Sequence, residues 1–97
     1  MKLLRVIPSQ VKNKKYTAVF EKENGRTKSV SFGSATGETY LNHRDDDKKR
    51  AWLARHSKAG ERWDKPDTAG ALSRWLLWHT PSFRANIKLF KSRFNLK

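Results

Sequence analysis

Ninety-seven residues carry 22 Lys and Arg against 9 Asp and Glu, a formal net charge of +13, with four Trp, five Phe, two Tyr and no Cys. The aromatic load supplies a core for one domain over residues 1–97 and excludes a disordered polycation, while the missing thiols exclude disulfides and a thiolate metal site and fit a reducing compartment. A charge this far from zero repels itself, so the expected partner is a polyanion: nucleic acid first, an anionic membrane surface second.

The chain opens on Leu3 to Ile7, a short apolar stretch interrupted by Arg5 and stopped by Pro8. It is too short for a signal segment, and no apolar run approaches a membrane span, so a non-secreted, soluble protein is expected. Lys15 to Lys22 is rich in β-formers, with Tyr16, Ala18 and Phe20 alternating with Thr17, Val19 and Glu21. Asn24-Gly25 suits a tight hairpin turn, and Thr27 to Phe32 returns with Val30 and Phe32 on one face. Gly33 to Glu38 reads as a loop. Asp45 to Lys58 reads as a helix, its first-turn Asp45, Asp46 and Asp47 and its last Lys58 matching the helix dipole, with Gly60 as a stop. Glu61 to Pro66 is a linker.

Asp67 or Thr68 caps a second predicted helix, Ala69 to His79, which is apolar on nearly every side and is expected to be the central core helix. Thr80-Pro81 then predicts a cap and a first helical position for a third helix, Ser82 to Phe94. Phe83, Ile87, Phe90 and Phe94 form its apolar stripe. The expected fold is thus α+β, an N-terminal antiparallel hairpin or small sheet followed by three helices. Its expected core is Phe20, Phe32, Trp75, Leu76, Phe83, Ile87 and Phe90.

The acids are unevenly placed. Residues 1–20 hold five Lys and Arg and no acid, residues 68–97 hold six and no acid, and all 9 acids lie in 21–67 beside 11 bases. Should the two ends meet, they build one basic face. On the third helix Arg84, Lys88 and Lys91 form an adjacent row that can track phosphates. The candidate nucleic-acid-binding set is Lys12, Lys14, Lys15, Arg74, Arg84, Lys88, Lys91 and Arg93. Stacking of bases on aromatic rings is a further option. Trp75 and Trp78 lie in the most apolar helix and read as core, whereas Trp52 and Trp63 sit among charges.

His43, Asp45, Asp46, Asp47, His56 and His79 are the only residues that suggest a metal or catalytic centre. Three successive Asp at a helix start cannot face one point, and dipole-favoured first-turn acids account for them. With no phosphate loop, nucleophile motif or dinucleotide fingerprint, no enzyme activity and no cofactor are expected. A basic amphipathic third helix also suits a membrane interface, but the core needs its Phe stripe.

One order of residues is recognisable: Phe32-Gly33, Tyr40, His43-Arg44-Asp45, Arg50-Ala51-Trp52-Leu53-Ala54-Arg55-His56, Trp63 to Gly70, Ser73-Arg74-Trp75-Leu76-Leu77-Trp78 and Pro81. Over residues 14 to 90 it resembles a family of small basic proteins of unassigned function from large eukaryotic DNA viruses. The resemblance implies a source, the virion or the infected cell, rather than a mechanism. It makes two roles natural: a genome-associated DNA-binding protein, or a small capsid or assembly component that meets other virion proteins.

Overall fold

Tyr16, Ala18 and Phe20 alternate with Thr17, Val19 and Glu21, and the computed structural model, which describes all 97 residues, turns that alternation into the central strand of a sheet. Strands β1 (Lys2–Pro8), β2 (Lys14–Glu21) and β3 (Thr27–Ser34) run antiparallel in the order β1-β2-β3. The register pairs Leu3 with Phe20, Val6 with Ala18 and Pro8 with Tyr16, then Tyr16 with Phe32 and Ala18 with Val30. Directly paired residues share a face, so these side chains form one apolar surface. A register shift between Leu3 and Arg5 sets Leu4 out of the ladder, where it is exposed. Gly25 makes the β2–β3 turn at a φ of 82°. β3 runs two residues further than its apolar pattern, through Gly33 at φ 80°.

Four helical pieces follow. Helix α1 (Tyr40–His43) is a single turn in a stretch the sequence leaves unassigned, and Asn42 Oδ1 accepts from the backbone N–H of Thr39 at 3.0 Å. Helix α2 (Asp46–Lys58) starts where its acids predict: Asp45 Oδ1 accepts from the backbone N–H groups of Asp47 and Lys48 at 2.9 and 3.2 Å. Helix α3 (Ala69–Leu72) is capped by the Thr68 hydroxyl.

The expectation of one regular helix from Ala69 to His79 is corrected. After Leu72 the chain widens into a π-helical turn, Ser73–Leu77, closed by Trp78 N–H on the Ser73 carbonyl at 3.2 Å. Leu72, Leu76, Leu77 and Trp78 are all buried. Three consecutive side chains cannot share one face of an α-helix at about 100° per residue, and a wider turn brings them inward together.

Helix α4 (Phe83–Arg93) is capped by Ser82, whose hydroxyl accepts from Ala85 N–H at 3.2 Å. Thr80-Pro81 therefore lies before the helix rather than at its cap and first turn. Thr80 is instead held by Asn86, a fully buried side chain.

The core is Leu3, Ala18, Phe20, Phe32, Trp52, Leu72, Leu76, Leu77, Trp78 and Phe90. Of the expected set, Trp75, Phe83 and Ile87 are only partly buried and line its margin. Trp52, placed by sequence among charges, belongs inside: its ring stacks on Trp78 with centroids 5.0 Å apart and planes 12° from parallel. The two ends of the chain do meet, since Leu3 N–H donates to the Lys97 carbonyl at 3.1 Å.

Candidate nucleic-acid interface

The acids are engaged one by one inside the protein. Glu21 faces Lys2 at 3.9 Å, Glu23 pairs with the N-terminal ammonium, and Asp47 pairs with Arg50. Asp64 meets Arg62 at 3.0 Å, and Asp67 binds Lys22 at 2.5 Å and Lys28 at 3.0 Å. Glu61 holds His56 and also accepts from the Trp63 indole N–H. Asp45 caps α2, and Asp46 accepts from the Tyr40 hydroxyl at 2.6 Å. Glu38 alone of the 9 makes no such bond.

None of these bonds reaches any of the eight predicted cations. The acids pair with Lys2, Lys22, Lys28, Arg50 and Arg62, all within residues 2–62. Lys12, Lys14, Lys15, Arg74, Arg84, Lys88, Lys91 and Arg93 stand outside every ion pair.

The eight fall into two groups rather than one. Tyr16 stacks on Phe83 with ring centroids 4.8 Å apart, which sets the start of α4 over the start of β2. Arg84 therefore stands at the end of the molecule that also carries Lys12, Lys14 and Lys15. Lys88 and Lys91 continue along α4 on one flank of its Phe83–Phe90 stripe, one and two turns on. Lys14 also lines a cleft of about 600 Å³ together with Ser34, Arg55, His56, Trp52 and Ser73.

Arg93 lies on the opposite flank of α4 by helical spacing. Its guanidinium carbon sits 3.8 Å from the centroid of the Trp75 ring, and that of Arg74 sits 4.3 Å from the same ring. Arg74 is half-buried and donates to the Trp78 carbonyl at 3.3 Å. Two residues that sequence reading left out of the basic set join this second group. Lys49 donates to the His79 carbonyl at 2.6 Å, and His79 meets Trp75 edge to face at 5.4 Å. No signal in the sequence links Lys49 to Arg93, because the link is a fold contact between α2, the π turn and α4.

The candidate metal residues are drawn apart. Asp45, Asp46 and Asp47 take three different partners, and His43 Nδ1 accepts from Asp45 N–H at 3.0 Å. His56 lies flat on Trp52 at 4.0 Å and bonds Glu61. The aromatic rings are likewise mostly engaged with each other, Trp63 included, whose ring runs nearly parallel to Trp52 at 6.2 Å. No helix is long and apolar enough to cross a membrane.

Residues 4–56, more than half of the chain, match the model of a family described as a family of unknown function, DUF5754. The matched stretch covers the sheet from Leu4 onward, α1 and most of α2, and stops short of α3, the π turn and α4. No curated protein and no solved structure matches the chain.

Proposed function

The chain belongs to the family of unknown function DUF5754, and from its own surface we propose that it binds nucleic acid through backbone phosphates, without base specificity and without catalysis. The observation that carries this reading is the separation of charge: eight of the 9 acids are bonded internally, and none is bonded to the cations of residues 12–15 and 84–91. Those cations keep their full attraction for an external anion. A regular row along α4 with a lysine cluster at its start suits the repeating charge of a strand, and DNA is the favoured form. In the setting that the resemblance to the viral family implies, such a protein would coat a genome inside the particle.

Binding of two unrelated DNA duplexes, followed as a function of salt, tests the proposal. Contacts that displace counterions lower log affinity by about 0.9 per phosphate for each unit of log salt. Four to six engaged side chains give a slope of about −4 to −5. Lys88→Ala with Lys91→Ala weakens both duplexes equally and flattens the slope by about 2. Arg62→Ala with Lys65→Ala, in the acid-bearing middle, changes it far less. Equal effects from both pairs would mean diffuse charge and no interface. Failure to bind duplex at physiological salt, with binding to an acidic protein instead, would replace this reading by that of a structural or assembly component.

A further inference from the structure

The second basic group has a geometry of its own. Three basic side chains from two elements meet one indole, that of Trp75: Arg74 and His79 from the π turn and its exit, and Arg93 from α4; Lys49 from α2 joins them at the His79 carbonyl. Trp75 is fixed at the centre, its indole N–H donating to the Trp63 carbonyl at 2.9 Å. Lys49 lies over the Tyr40 ring at 4.9 Å.

Helix-end electrostatics covers part of this. Lys49 and Arg74 each donate to a carbonyl at the C-terminal end of a helical segment, where cations are favoured. It leaves the rest unexplained. Arg74 Nε and His79 Nδ1 are buried without a hydrogen-bond partner in the protein, and each such nitrogen costs free energy. Arg93 adds a further charge from another helix, and no carboxylate bonds to any member of the group. Burial first, and then the charges of Arg74, Lys49 and Arg93, push the His79 imidazole below its ordinary value, while burial and Arg93 push Arg74 down. Asp46, whose charge favours the ammonium of Lys49, is the one opposing acid. It is bonded to the Tyr40 hydroxyl.

Like charges gathered beside an aromatic plate, with donors left over, describe a receptor for a compact anion. We infer that Arg74, His79 and Arg93, gathered at the Trp75 ring, together with Lys49 on the His79 carbonyl, form a discrete binding site for a single phosphate group. The site is separate from the α4 row, since Arg93 projects from the other flank of that helix. It rests on the nucleic-acid reading only for the source of the phosphate. Where a strand supplies the group, this site anchors one phosphate while the row of Arg84, Lys88 and Lys91 follows others.

The test uses the full chain and inorganic phosphate, titrated at constant ionic strength against chloride and followed by the NMR resonances of the His79 imidazole and the Trp75 indole N–H. Saturable shifts at both residues are expected. His79 should titrate at higher pH in phosphate than in chloride, because a bound anion favours the imidazolium. Arg93→Gln, at an exposed position, should weaken phosphate by about tenfold or more, while Arg5→Gln, an exposed cation on β1 outside both basic groups, leaves it unchanged. A linear shift matched by chloride, or equal phosphate affinity in Arg93→Gln, overturns the site, and the wild-type titration decides this even if a variant misfolds. An unphosphorylated oligothymidylate that displaces phosphate identifies strand diesters as the source. Saturable phosphate binding without such competition identifies a free phosphate or phosphomonoester and leaves the site standing, even if duplex binding fails.

Discussion

Asn86 is the residue on which the C-terminal half turns. Its Nδ2 donates to the carbonyls of Leu76 and Thr80 at 2.9 Å each, and its Oδ1 accepts from the N–H and the hydroxyl of Thr80. One buried amide thus satisfies the carbonyl freed near the end of the π turn and the loop that leads into α4. Asn86→Leu keeps the volume but strands those groups, and should cost about 2–4 kcal/mol, read as a lowered urea midpoint. Asp67 acts at the other end of the same unit. Lys22 first, and then Lys28, hold its carboxyl down to about 2 from 3.8. A folded pKa below the unfolded one contributes stability that is present above about pH 4 and is lost as pH falls toward 2. Both lysines are partly exposed, so Asp67→Asn should cost only about 1 kcal/mol at neutral pH. Urea midpoints of variant and wild type should converge between pH 4 and pH 2.

At the scale of elements, the close fit lies between β3 and the π turn. A Cβ on Gly33 would stand 2.8 Å from Leu77 Cδ1 and 3.3 Å from Lys15 Cβ, at a φ that side chains rarely adopt. Gly33→Ala should therefore destabilise by about 1–3 kcal/mol, whereas Gly25→Ala, with open space around it, bears only the backbone strain. The same elements show what was legible in advance. The sheet, α2 and α4 were, because alternation, an acidic first turn and a four-residue Phe stripe are local signals. The π turn was not, because Leu76-Leu77-Trp78 reads as an ordinary apolar helix until its neighbours demand all three inside. Asn86 was not, because one polar residue in an amphipathic helix reads as solvated. The α4 row was legible as a spacing, but its division from Arg93, and the company of Lys49 and His79, depend on how α2, the π turn and α4 are packed.

At the scale of the molecule, the charges act as a sum. Seventeen of the 22 Lys and Arg lie outside any ion pair, the exceptions being Lys2, Lys22, Lys28, Arg50 and Arg62. Self-repulsion should then outweigh the few exposed pairs. The melting temperature is expected to rise with NaCl from about 10 to 200 mM, as screening shortens the Debye length from roughly 30 to under 10 Å. A fall over that range would show that the ion pairs dominate. The stacking of Trp52 on Trp78 carries a consequence in optics. Two indoles 5.0 Å apart and nearly parallel form a coupled pair of chromophores, one on α2 and the other at the exit of the π turn. Their transitions should split into a far-ultraviolet circular-dichroism couplet that neither ring produces alone. That couplet vanishes when α2 lifts from the core, so the protein carries its own gauge of whether its two helical halves are docked.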